Sequence, residues 1–164
     1  MEIIENMETT AVTSKGYVGE IPNTHIRDFQ RKKVYDAEEK CAFWNSIDVL
    51  PLEKVQELII SISNWAGIKV PKLDTGDPKT KQDILTAYAT KDSISLPFPI
   101  AKTLPMICHE MAHVINYQDI SKADHHGKIF ASVYLRIVRK FASPRSYLEL
   151  KRAFDSSCVK YNLE

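Results

Sequence analysis

Leu104-Pro105-Met106-Ile107-Cys108-His109-Glu110-Met111-Ala112-His113-Val114-Ile115 is the stretch around which the rest of the chain can be organised. Thr103 suits a helix N-cap and Pro105 a first turn, so the run reads as an apolar helix. Four-residue spacing then puts His109 and His113 one turn apart on the same face. Two imidazoles so placed can grip one zinc ion, with Glu110 beside them to take the proton of a metal-bound water. Four of the five histidines fall between positions 109 and 126. A lone HExxH recurs by chance in unrelated proteins. Its setting here, in an apolar helix after a strand pair and with histidines close behind, makes a metal site the leading reading. The plainer alternative is a pair of hydrogen-bonded core histidines, with Glu110 pairing a basic residue.

A catalytic zinc needs a third protein ligand and one open position. His126 is the first choice, at the entrance of a helical pattern formed by Ile129, Phe130, Val133, Tyr134, Ile137, Val138 and Phe141. Packing that stripe on the histidine helix would bring its imidazole to the metal. His125 is the competitor, since adjacent residues cannot both face the same way. The HExxHxxGxxH class would need glycine and histidine where Asn116 and Asp119 stand. Glu149, on the last helix, reads better as an exposed partner of Lys151 or Arg152. Cys108 precedes His109 on the helix and points to another face, as a buried thiol. Tyr134 and Tyr147 could supply a second electrophile, but each reads first as a core aromatic.

Outward from this site, residues 1–24 lack periodicity and form a loosely ordered arm, leaving residues 25–164 as a single domain. Arg27 to Trp44 reads as a helix with Phe29, Val34, Ala37, Cys41 and Trp44 along one side. Pro51 starts a second helix, whose buried stripe is Leu52, Val55, Leu58, Ile59, Ile62 and Trp65, and Gly67 ends it. Ile68 to Val70 is a short strand and Asp74 to Gln82 an exposed loop. Ile84 to Thr90 and Ser93 to Leu96 form an antiparallel hairpin about Lys91-Asp92, stopped by Pro97 and Pro99. The edge of Ser93 to Leu96 offers a platform for an extended peptide. A loop from Gln118 to Asp124 precedes the Ile129–Phe141 helix. Pro144 begins a last helix with Tyr147, Leu150, Phe154 and Cys158 inside. The class is α+β, with helices outnumbering strands.

The 164 residues suffice for a core without disulfides, and Cys41, Cys108 and Cys158 include no CxxC pair. A net charge of +1 gives no general argument for nucleic acid or membrane binding. From His126 to Glu164, however, eight Lys/Arg face three Asp/Glu. Solvated helix faces explain that surplus more simply than a phosphate-binding surface. Met1 to Thr10 lacks the basic start and apolar run of a signal peptide, and no segment reaches the ~20 apolar residues of a membrane span. The expected compartment is the cytoplasm.

His109-Glu110-x-x-His113 followed by His126-Gly127-x-x-Phe130 resembles the zincin-like metallopeptidases of the SprT and related minimal type, whose third histidine follows the HExxH helix. The chain is more closely similar to an uncharacterised family of zinc metallohydrolases from actinobacteria and phages. Members of that family begin with a stretch like Arg27-Asp28-x-Gln30-Arg31-x-x-Val34-Tyr35-x-Ala37-Glu38. They close their site with a histidine-glycine-proline-glutamate-phenylalanine run before a long apolar helix. Lys128-Ile129 stands here in place of the proline and glutamate, which touches helix-start geometry rather than metal binding. The similarity spans Arg27 to Phe154 and leaves the N-terminal arm unmatched.

What the resemblance implies is a zincin-like fold, a small antiparallel or mixed sheet packed on the HExxH helix. His109, His113 and His126 would be zinc ligands and Glu110 the catalytic base. The Gln30-Arg31 stretch braces the core or lines the cleft. Three functions compete. The first is a zinc-dependent metallopeptidase acting on a peptide or protein by Glu-assisted attack of a zinc-bound water. The second is a SprT-like protease working on proteins attached to DNA, supported only by the basic last quarter. The third is a non-catalytic zincin scaffold that binds a partner, against which an intact Glu110 argues.

Overall fold

A computed structural model describes residues 28–75, 87–97, 102–119 and 125–162. The helices are α1 (Arg31–Glu39), α2 (Leu52–Ala66), α3 (Leu104–Asp119), α4 (Lys128–Phe141) and α5 (Pro144–Ser156). The strands are β1 (Lys72–Asp74), β2 (Tyr88–Ala89) and β3 (Ser93–Ser95). Their order in the sheet is β1-β3-β2, with β1 parallel and β2 antiparallel to β3. The chain is thus a mixed α+β protein with a small mixed sheet, and among the described residues helices outnumber strands.

The histidine helix is the centre of the packing. Pro105 to Asn116 of α3 are all buried, and α4, α2, β2 and β3 pack around it. A helix apolar on every side must be covered on every side. The strongly one-sided α4 meets this demand with Phe130, Tyr134, Ile137 and Val138, all 0% exposed. Helix ends follow local chemistry. Gly67 closes α2 at φ 68°, where the left-handed backbone favours glycine, and Ile68 N–H reaches back to the Ser63 carbonyl. Ser143 caps α5 by accepting from Ser146 N–H, with Pro144 next in line.

Several sequence expectations shift. The first helix is shorter than Arg27–Trp44: α1 stops at Glu39, because Asn45 Nδ2 donates to the carbonyls of Glu39 and Cys41 and holds a turn there. Phe29 is 74% exposed rather than inside. The Ile68–Val70 strand is displaced to β1 beyond Pro71. Gln118 takes both backbone groups of Lys69, at 2.9 Å each, so that segment has no ladder to join. On α2, Leu52 and Trp65 lie at the rim, and Trp65 packs edge-on against Phe141. Ile129 is exposed. Cys158 lies past α5, exposed at φ 55°, where the chain turns and Val159 goes inside instead.

The hairpin about Lys91-Asp92 is present as β2 and β3, but β1 pairs with the other side of β3. The Ser93–Leu96 strand is therefore central, and its edge is not the free platform expected; the outer strands of the described sheet are β1 and β2. The N-terminal arm, Arg27, residues 76–86 (most of the Asp74–Gln82 loop and the start of the first hairpin strand), Pro99 and residues 120–124 fall outside the described residues. Among the described residues, no helix is long and apolar enough to cross a membrane.

Candidate metal centre

Helix α3 brings His109 and His113 to one face, as the spacing requires. The turn before α4 brings His126 up to them. Phe130, one turn into α4, fixes this approach: its ring lies 5.1, 4.4 and 4.9 Å from those of His109, His113 and His126. Each histidine offers one ring nitrogen to a common point, and the three lie within 4.8 Å of one another. His109 Nε2 and His113 Nε2 are 3.1 Å apart. Two nitrogens sharing a tetrahedral zinc ion stand about 3.3 Å apart, so this pair already has the right separation.

Two of the three outward-facing nitrogens are held by acids. His109 Nδ1 meets Glu38 Oε1 at 2.5 Å, and both side chains are almost wholly buried. His126 Nδ1 meets Asp28 Oδ2 at 2.5 Å, while Asp28 Oδ1 accepts from the His126 backbone N–H. A carboxylate on Nδ1 fixes the tautomer and turns the Nε2 lone pair toward a metal. The residual polar atoms fit this reading. His126 Nε2 is buried without a hydrogen-bond partner, an arrangement costly for a core histidine and natural for a ligand. His113 differs: its outward Nδ1 is buried and makes no hydrogen bond, so this ring is oriented by packing on Phe130 and Tyr117 rather than by an acid.

The electrostatics agree. Burial, then the neighbouring histidines and Arg31, hold His113 and His126 well below the ordinary imidazole range, so both stay neutral and able to ligate. Burial opposes charge on His109 as well, but Glu38, through its charge and hydrogen bond, prevails and raises it. Glu110 is 5% exposed; burial pushes its carboxyl up to about 7, against the pull of His109 and with a push from Glu38. Among the described residues it makes no ion pair. A carboxyl near 7 is matched to proton transfer at neutral pH.

Of the two adjacent histidines, His126 joins the cluster. His125 turns away, its Nδ1 held at 2.6 Å by the Tyr117 hydroxyl. Glu149 lies outside the cluster and pairs with Arg145 at 2.8 Å, not with Lys151 or Arg152. Cys108 is wholly buried, and burial pushes its thiol up, as expected of an inert side chain. Tyr147 is a partly buried aromatic packed on the core. Tyr134 lies against His109, and its hydroxyl is near enough to Glu38 for that carboxylate to help burial raise it. Neither that hydroxyl nor Glu38 Oε2 completes a hydrogen bond of normal geometry.

Sequence reasoning missed Asp28, Glu38 and Tyr35. Glu38 carried a signal: it adjoins Ala37 and lies one turn from Val34, an acid on an apolar face. Within the Gln30-Arg31 stretch, the bracing role falls to Gln30. It donates to the carbonyls of His126 and Lys160 and accepts from Lys160 N–H. Arg31 sits over the Tyr35 ring, which lies 5.1 Å from the His126 ring. No family model matches this chain, and neither does any curated protein or solved structure.

Proposed function

We propose that this chain is a zinc-dependent hydrolase of zincin-like build, a metallopeptidase whose ligands are His109, His113 and His126 and whose general base is Glu110. The observation that carries the reading is the buried three-histidine cluster, with His109 and His126 each steered by a carboxylate and a buried Glu110 on the same helix. Three imidazoles suit zinc among the available divalent metals, though the late transition metals share this taste. Zinc bound there would supply a Lewis acid and a more acidic water. Glu110 would hold the proton released from that water and return it to the departing group. Phe130 and Tyr35 would keep bulk water from the histidines, which strengthens every polar interaction inside.

Three converging protein ligands among the described residues favour a catalytic centre over a closed structural one, which takes four. A peptide substrate is the preferred class because β2, an outer strand of the described sheet, packs beside the site helix, where strand addition would lay an extended chain near the histidines. A nucleic-acid-directed variant gains no observation of its own. Four of the eight basic residues in the last quarter are occupied locally: Arg145 with Glu149, Lys151 with Asp155, Arg136 on Trp65 and Arg139 on Tyr147.

The deciding experiment is Glu110→Gln, assayed for zinc content and for hydrolysis of a mixed peptide library. Zinc should stay at about one per chain while turnover falls by a factor on the order of 10²–10⁴, the usual worth of a general base. Undiminished hydrolysis in the zinc-loaded variant would remove Glu110 from this role.

A further inference from the structure

One cation, Arg31, stands beside the acids that orient the histidines. Asp28 and Glu38 are each committed to a histidine Nδ1. Arg31, the first residue of α1, is half-buried beside them and makes no ion pair among the described residues. Its Cζ lies 5.5 Å from the centre of the Tyr35 ring, and that ring lies 5.1 Å from His126 and 6.1 Å from His109. A fixed cation next to a site for a dication is repelled by it. The arrangement becomes favourable when a negative group of the ligand lies between them. Tyr35 adds a phenol hydroxyl as donor, on a ring that packs against His109 and His126.

The geometry points to Arg31 and Tyr35, one turn apart on α1, as the receptor for an anionic oxygen of the ligand at the histidine centre. The inference rests on the metal-centre reading and adds the side from which the ligand is held. Two sources share this chemistry. One is a carboxylate; the other is a carbonyl oxygen that turns negative as the carbon is attacked. A fork of N–H donors and a phenol receive either, and both oxygens gain from a site with little water.

The test uses the full chain loaded with cobalt, whose visible absorption changes when an anion enters or adjoins its shell. Acetate stands for the carboxylate and inorganic phosphate for the tetrahedral oxyanion. Arg31→Met should weaken anion binding by about tenfold or more, and Tyr35→Phe, which keeps the ring, by about threefold to tenfold, as expected for charge-assisted bonds. Arg31→Lys should recover part of the loss, because the charge returns without the fork. Lys32→Met removes a neighbouring charge whose side chain is 86% exposed, and should change nothing. Cobalt stoichiometry should be equal throughout. A larger loss for acetate assigns the pair to a substrate carboxylate, and a larger loss for phosphate to the attacked carbonyl. Anion affinities within twofold of the parent in both Arg31→Met and Tyr35→Phe, with cobalt bound, would overturn this inference alone. Equal weakening by Lys32→Met would do the same. A parent chain that takes up neither cobalt nor zinc would sink the metal-centre reading as well.

Discussion

Removing the Glu38 carboxylate should weaken zinc binding while leaving the metal-free fold nearly intact. Glu38 is 1% exposed and accepts from His109 Nδ1 at 2.5 Å. Glu38→Ala deletes a charge-assisted hydrogen bond worth about 1.5–3 kcal/mol and leaves the imidazole free to turn. A loss of about 10- to 100-fold in zinc affinity follows, in line with other residues that orient a ligand. Glu38→Gln keeps an oxygen for Nδ1–H but not the charge; a neutral bond is about half as strong, so the loss should be about 3- to 10-fold. Stability should respond differently. A buried carboxylate whose second oxygen completes no normal hydrogen bond is costly to desolvate, so its neutralisation offsets much of the lost bond. The metal-free Glu38→Gln protein should unfold within about 1 kcal/mol of the parent. Competition with a chromophoric chelator gives the affinities, and urea unfolding without metal gives the stabilities. The reasoning fails if Glu38→Ala binds zinc within twofold of the parent. It also fails if affinity falls only in step with a collapse of the metal-free fold, since Glu38 would then serve packing rather than His109.

Other outcomes follow from the same geometry. His126→Ala should abolish stoichiometric zinc and His125→Ala should keep it, because only His126 reaches the cluster while His125 is held by Tyr117; metal analysis of the purified variants decides, and the reverse pattern would relocate the ligand. Phe130→Ala removes a fully buried ring that touches all three histidine rings, and should cost about 3–5 kcal/mol in urea unfolding. A cost below about 1 kcal/mol would mean that α4 does not depend on this contact. Gln30→Ala should loosen the His126 turn and the Lys160 segment together, seen as faster amide exchange at both places; exchange unchanged at either would break the proposed link.

Legibility in the sequence divided along a physical line. Local rules were enough for α3, α4 and α5, where apolar spacing, Ser143, Pro144 and the four-residue histidine spacing all act within a turn or two. They were enough for the preference of His126 over His125 too, because the start of an amphipathic helix has to face what that helix packs on. What escaped needed partners far along the chain. Sequence separations of 71 positions from Glu38 to His109, and of 98 from Asp28 to His126, leave no periodic trace. Gln118 reaching across to Lys69 displaced a strand for the same reason. The sheet's third member was hidden because β1 joins β3 in parallel from a distance, whereas the antiparallel partner is announced by its turn.

The division of labour between helices bears on how such a centre would be assembled. Two metal-ligand candidates and the proposed base share α3, whose burial on every side makes their mutual geometry rigid. The third candidate comes from the next turn, and two of the three histidines are oriented by acids from α1 and the residue three before it. Helix α1 is packed chiefly on α5, not on α3, and Gln30 ties its start to the chain beyond α5. The centre therefore closes only when the two ends of the described chain have met. Without a cation, Glu38, Asp28 and Glu110 bring three acids into a buried space with mostly neutral imidazoles, an unfavourable concentration of like charge. A bound dication reverses the sign of that interaction, so its binding energy should appear as tighter docking of α1 as well as occupancy of the histidines. On this argument zinc protects the backbone amides of residues 31–39 from exchange nearly as strongly as those of α3. A cation held by α3 and the His126 turn alone would leave α1 unaffected.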